Sequence, residues 1–126
     1  MTNLHSPLSL HIDGADVPAS KGRTFKVVNP LTGEAIFDCA AAELEDYENA
    51  IHHAQTAFES WSKTTPSERR LVFLRAADII TGYLHGDAPE ILSNEVSAVP
   101  SWIRQNILAT AGILRESAGL VTQIKG

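Results

Sequence analysis

A single cysteine, eight glycines, six prolines and 6% aromatic residues leave this 126-residue chain little material for any special architecture. One thiol cannot close an intramolecular bridge, so a disulfide scaffold is excluded. No Asn-x-Ser/Thr sequon occurs, and both absences point to a reducing, cytoplasmic address. Glycine and proline are too sparse for collagen or a low-complexity linker. Basic residues are also short: ten Lys and Arg face fifteen Asp and Glu, for a formal charge of −5. No basic run can neutralise a row of phosphates, which argues against nucleic acid as a partner. The longest apolar stretches, such as Leu108 to Leu114, are interrupted by Thr and Gly. They fall far short of the ~20 residues that span a bilayer. The first ten residues lack the basic-then-apolar order of a secretory signal. The expectation is a soluble protein without membrane attachment.

What is present is ordinary globular composition, 44% hydrophobic and 20% charged. The length fits one domain able to bury roughly two-thirds of its unfolded surface. Residues 1–42 punctuate like β-structure. Leu8 to Ile12 alternates apolar and polar at period two, then Asp13-Gly14 offers the positive φ angles of a tight hairpin turn. Ala15 to Pro18 is the returning strand, with Pro18 ending it or marking an edge. After a turn at Ser20-Lys21-Gly22, Phe25, Val27 and Val28 mark a strand that stops at Asn29-Pro30-Leu31-Thr32-Gly33. Glu34 to Ala40 is the last strand.

Beyond Ala42 the period changes to that of a helix, through residue 126. Leu44, Tyr47, Ile51, Ala54, Phe58 and Trp61 recur at spacings of three and four, one apolar stripe over about five turns. No Ser, Thr, Asp or Asn precedes it as a cap, but Glu43, Glu45 and Asp46 sit at the positive end of its dipole. Thr65-Pro66-Ser67-Glu68 is a capping box with proline at the first helical position. The helix it opens is apolar nearly all round from Leu71 to Leu84, with a narrow polar line through Glu68, Arg75, Asp78 and Gly82. Such a helix requires cover on most sides. Asp87-Ala88-Pro89-Glu90 repeats the cap logic for a short helix that Val99-Pro100 breaks. Ser101 can cap a final helix with Ile103, Ile107, Ala111, Leu114, Ala118 and Val121 on one face. The expected fold is α+β: two β-hairpins followed by about four helices.

The residues carry no catalytic constellation. His52 and His53 are adjacent on a helix, so they diverge by about 100° and cannot chelate one ion together. His11 and His85 read as surface residues. Cys39 lies beside Asp38 and a run of alanines, where nothing lowers its thiol pKa, and reads as a buried strand cysteine rather than a nucleophile. Glu43, Glu45 and Glu48 read as a solvated helix face. No G-x-S-x-G elbow, G-x-G-x-x-G loop or P-loop occurs.

A more specific pattern runs through the whole chain. Leu10-His11-Ile12-Asp13-Gly14, then Pro18 to Phe25, then Val28-Asn29-Pro30-Leu31-Thr32-Gly33-Glu34 resembles the amino-terminal end of the aldehyde dehydrogenase superfamily. The likeness continues through Ala54 to Phe58 and Trp61, Pro66-Ser67-Glu68-Arg69, and Leu74 to Ile80, in matching order and spacing. The end of the last helix, Thr122 to Gly126, is similar to the branch that acts on aromatic aldehydes such as vanillin or salicylaldehyde.

The resemblance implies that residues 1–126 form the outer part of a cofactor-binding domain, an α+β fragment of an α/β, Rossmann-like enzyme whose central nucleotide-binding sheet is absent. It implies oxidation of an aldehyde to an acid with NAD or NADP, through a cysteine thiolate, hydride transfer and a glutamate-activated water. The family's nucleophile, base and nucleotide-binding glycines have no match here, and Cys39 does not match the nucleophile's motif. The chain alone is therefore expected to bind no cofactor and to be inactive, a truncated dehydrogenase or pseudoenzyme. The alternative is a non-catalytic remnant that binds a full-length relative or another protein. The resemblance also implies a monovalent-cation site, matched here by Val27, Val28 and Glu95, with only the carbonyls of the two valines able to serve. The family's Glu-Thr-Gly-Lys segment reads Glu95-Val96-Ser97-Ala98 here, a departure from the pattern. With its apolar helices uncovered, the chain is expected to be partly molten and to self-associate or join a full-length aldehyde dehydrogenase.

Overall fold

The computed structural model describes residues 7–123. It divides into two compact units, Met1–Lys63 and Thr64–Gly126. The division falls after the first helix rather than at the change of period near Ala42.

Among its described residues the first unit holds four strands and one helix: β1 (Leu10–Ile12), β2 (Ala15–Val17), β3 (Thr24–Val28), β4 (Ala35–Ala40) and α1 (Leu44–Trp61). The strands form two separate antiparallel hairpins, β1–β2 and β3–β4. Asp13 and Gly14 both take positive φ, +53° and +73°, so the twist of their turn matches the strands. At the second hairpin, Asn29 Oδ1 accepts hydrogen bonds from the N–H groups of Leu31 (2.9 Å) and Thr32 (3.2 Å). Gly33, at φ +74°, closes that turn by donating to the Asn29 carbonyl at 2.7 Å. Leu8 sits ahead of β1 and bridges Cys39 on β4 instead of extending β1. Phe37 and Ala19 are the buried apolar residues among those described in this unit.

The beginning of α1 is built by carboxylates. Glu43 is the cap residue and forms a capping box with Asp46. Asp46 accepts from the Glu43 N–H (2.8 Å), the Ser20 N–H (3.1 Å) and the Ser20 hydroxyl (3.2 Å). Sequence patterning finds no cap here because Glu is rarely a capping residue.

The second unit contains α2 (Pro66–Gly82), α3 (Ala88–Val96) and α4 (Pro100–Leu120), with single 3₁₀ turns at Tyr83–His85 and Val121–Gln123. Thr65 caps α2 as expected: its hydroxyl accepts from the Glu68 N–H (3.3 Å), and Glu68 Oε2 accepts from the Thr65 N–H (2.6 Å). Two other expected caps do not form. Asp87 has helical backbone angles, and no cap hydrogen bond reaches its side chain, because a capping residue needs extended backbone. Ser101 lies inside α4, which begins one residue earlier at Pro100 with Val99 as cap. Proline suits a first helical position because its missing N–H would have no helical partner there.

The α4 stripe is buried against α2. Ile103, Ile107, Ala111, Ala118 and Val121 lie in the core, and Leu114 is half-buried. Arg115 of α4 reaches Asp78 of α2 at 3.0 Å. Among the described residues, no large side chain is fully buried; Ala77, Ala111 and Ala118 are the ones with no accessible surface. Leu71, Val72 and Ile79 of the nearly all-apolar second helix, and Tyr83 of the 3₁₀ turn after it, stay exposed. No parallel sheet occurs among the described residues.

Candidate functional site

An open cleft of about 350 Å³ lies between the Asp13-Gly14 turn and one face of α1. His11, Ile12, Asp13 and Gly14 form one wall, and Ala50, His53, Ala54 and Ala57 the other. The three alanines keep this face of α1 low, so the hairpin can approach it. His53 Nδ1 meets Asp13 Oδ2 at 3.2 Å across the gap, and His11 Nδ1 meets Asp16 Oδ1 at 2.8 Å on the hairpin's surface. The His52 and His53 rings lie with centroids 5.9 Å apart and planes nearly perpendicular. Among the described residues, no group of three or more His, Cys, Asp or Glu side chains could hold a metal ion. The cleft lacks a nucleophile, and its two His–Asp pairs are mainly exposed, so it offers packing rather than chemistry.

Sequence reasoning missed the His53–Asp13 pair, since forty residues separate the partners and only the tertiary fold brings them together. It also missed the electrostatic hub at the start of α1. There, Arg23 and Lys21 pair with Glu43, while the hydrogen bonds from Glu43 and Ser20 hold the Asp46 carboxyl below its usual pKa. The Thr65 hydrogen bonds do the same to Glu68. Both helices therefore begin with an ionised acid placed where a phosphate would otherwise find N–H donors and a positive dipole end. The positive-φ glycines, Gly14, Gly22 and Gly33, face open space, where an added Cβ would meet nothing within 4 Å. These residues do not fit a dinucleotide's pyrophosphate.

Cys39 is half-buried on β4, opposite Phe25, and away from the cleft lining. Val27 and Val28 lie at the end of β3, where the ladder with β4 shifts register between them. Glu95 is half-buried on α3 in the second unit, just before Ser97, which ends that helix with φ +52°.

A model of the aldehyde dehydrogenase family matches residues 17–126. The chain belongs to the aldehyde dehydrogenase family. Vanillin dehydrogenase from Pseudomonas sp. (strain HR199 / DSM 7063) is 42% identical over 122 residues, which is 97% of this chain and 24% of that enzyme. The crystal structure of a salicylaldehyde dehydrogenase from Pseudomonas putida G7, complexed with salicylaldehyde, superposes with a TM-score of 0.87 at 33% identity. It is covered over 24% of its length by 93% of this chain. The structure of PnpE in complex with nicotinamide adenine dinucleotide gives 0.88 at 32% identity, with 94% of this chain on 24% of that one. The chain thus spans about a quarter of the aldehyde dehydrogenases it matches, and its hairpins and helices are an amino-terminal part of their fold. None of its described helices is long and apolar enough to cross a membrane.

Proposed function

We propose that this chain supplies the outer layer of the cofactor domain of an NAD(P)-dependent dehydrogenase for aromatic aldehydes, and that alone it neither binds the dinucleotide nor turns over. The observation that carries the reading is the 42% identity to a vanillin dehydrogenase spread over nearly the whole chain but only a quarter of that enzyme. The family's chemistry needs a thiolate, a hydride acceptor and an activated water in one pocket. Cys39 lies on a strand beside Asp38, outside the cleft, and carboxylates occupy the first turns of α1 and α2. The chain's role is structural: it presents helices and hairpins to a nucleotide-binding sheet. A cytoplasmic address goes with this reading, supported by the single cysteine.

The main-chain carbonyls of Val27 and Val28 and the Glu95 carboxylate belong to the same reading as ligands of a monovalent cation. The register shift at Val27–Val28 supports it, since a carbonyl can leave strand pairing there. Such an ion would steady the domain rather than take part in the chemistry.

The test is a covalent fusion in which this chain replaces the matching quarter of the vanillin dehydrogenase. The fusion should reduce NAD with vanillin, while the lone chain and its Cys39→Ser variant should both give no rise at the NADH band. An inactive, folded fusion, or turnover by the lone chain, sinks the reading. In the fusion, Glu95→Gln should abolish any gain in melting temperature from added potassium; an unchanged gain removes the cation site.

A further inference from the structure

The two hairpins of the first unit are pinned by different kinds of cation. Lys26 of β3 pairs with Asp38 of β4 at 3.5 Å, and Lys21 and Arg23 pair with Glu43. The β1–β2 hairpin pairs through histidine instead. His11 Nδ1 meets Asp16 Oδ1 across the strands at 2.8 Å, and His53 Nδ1 meets Asp13 Oδ2 from α1 at 3.2 Å. Lys and Arg stay charged through neutral pH, whereas histidine ordinarily changes charge between about pH 5 and 8. A mild change of pH can therefore weaken the ion pairs of the first hairpin while those of the second persist.

The base and the tip of the β1–β2 hairpin are held unequally. At the base, Leu8 donates to the Asp38 carbonyl and accepts from the Ala40 N–H, both at 2.8 Å. On the other side of the base, Asp46 accepts hydrogen bonds from the Ser20 N–H and hydroxyl. At the tip, the polar tie to α1 is His53–Asp13. The helix wall beneath is Ala50, Ala54 and Ala57, and a Cβ added at Gly14 would meet nothing within 4 Å. The turn is thus not wedged against the helix. Strands of three residues make a ladder that is marginal by itself, so the tie at the tip matters.

The charges around His53 favour one direction of change. The His52 ring centroid lies 5.9 Å away, farther than Asp13, and His11 on the cleft wall has its charge matched by Asp16. The remaining charges on α1 are the acids Glu45, Asp46, Glu48 and Glu59, and Lys21 and Arg23 are turned to Glu43. Attraction to Asp13 wins when the imidazole is charged. His53 is 38% exposed and His11 69%, so the pair at the tip is the one better shielded from water. We propose that the β1–β2 hairpin is a pH-dependent flap over the cleft, clamped to α1 while His53 carries a proton and released at its tip when the proton leaves.

Hydrogen exchange of the 126-residue chain, corrected for the intrinsic rate at each pH, tests it. The variants are Asp13→Asn, His53→Gln and both together; Asn tolerates the positive φ that residue 13 adopts. At about pH 5.5, where histidine carries its proton and carboxylates are ionised, each single variant should lower protection of the β1–β2 amides about twofold to fivefold. The double variant should lower it no further than either single one. At about pH 8 the coupling between the two positions should fall to less than half of that factor. Protection of the β3–β4 amides should stay level in all four chains, and His11→Gln should leave the coupling of residues 13 and 53 unchanged. Coupling of equal size at both pH values overturns the proposal, because a hydrogen bond without a charge change would then hold the tip. Additive variants overturn it as well, and so does a hairpin without protection at either pH. A pH response of equal size in β3–β4 overturns it too, by assigning the change to the whole unit.

Discussion

The stripes on α1 and α4 share nearly the same spacing, yet one is exposed and the other buried. On α4, Ile103, Ile107, Ala111, Ala118 and Val121 pack away from water, with α2 alongside in the same unit. On α1, Leu44, Tyr47, Ile51 and Phe58 are larger and face solvent, and among the described residues of the unit its neighbours are two short hairpins. Hydrophobic periodicity says which face of a helix wants cover. Whether the cover belongs to the same stretch of chain depends on the rest of the fold. The chain spans 24% of the length of the vanillin dehydrogenase it matches, and within that span α4 is covered while α1 is not.

The largest effect that tests this contrast compares two isoleucines. Ile107 is 6% exposed, so Ile107→Ala should destabilise the lone chain by about 2–5 kcal/mol through lost transfer energy and a cavity. Ile51→Ala should change urea stability by less than about 0.5 kcal/mol, as exposed substitutions do. Equal costs would break the comparison by showing that the α1 stripe is buried in solution. A smaller effect separates true caps from apparent ones. Thr65→Ala should cost about 1 kcal/mol by removing the hydroxyl that accepts from Glu68. Ser101→Ala should cost almost nothing, since Ser101 lies two positions past the cap residue Val99, inside α4. A measurable loss at Ser101 would move the start of that helix.

The smallest expected effect is with pH. The Asp46 carboxyl titrates below its usual value in the folded chain, mainly through the hydrogen bond from the Glu43 N–H. Unfolded chains therefore bind its proton more readily. Its stabilisation is complete above the ordinary carboxylate range and is lost as pH falls through the lower, folded value. Helical signal should weaken below about pH 4, and Asp46→Asn should flatten the part of that acid limb that belongs to α1. Glu68 contributes in the same direction through Thr65. An acid limb unchanged by Asp46→Asn would assign it to other groups.

Local chemistry was legible where a few adjacent residues decide it. Asp13-Gly14, the Asn29–Gly33 turn and the Thr65 box each use partners within five positions, and each takes the expected form. The α4 stripe was legible from its own spacing, and α2, a second helix of the same unit, covers it. Three features were not legible. Glu43 and Asp46 begin α1 by recruiting Ser20 from across the unit, which no window around the helix reveals. The His53–Asp13 pair depends on how the first hairpin lies on α1. The exposure of the α1 stripe is a property of the folded unit, since its spacing matches that of the buried α4 stripe. Of the candidate site, Val27, Val28 and Glu95 came from resemblance, while the register shift between the two valines is visible only in the folded ladder.

The alanines between α2 and α4 have a further consequence. Ala77, Ala111 and Ala118 retain no accessible surface. Methyl-sized contacts let two helix axes approach toward the near end of the usual range, about 8 Å. At such positions the tolerated alphabet shrinks from both ends. Valine or leucine would wedge the axes apart, and glycine would loosen each helix. As aldehyde dehydrogenase sequences drift, these three codons should therefore change less than those of the bulky exposed positions on α1, although they specify the plainest side chains in the molecule.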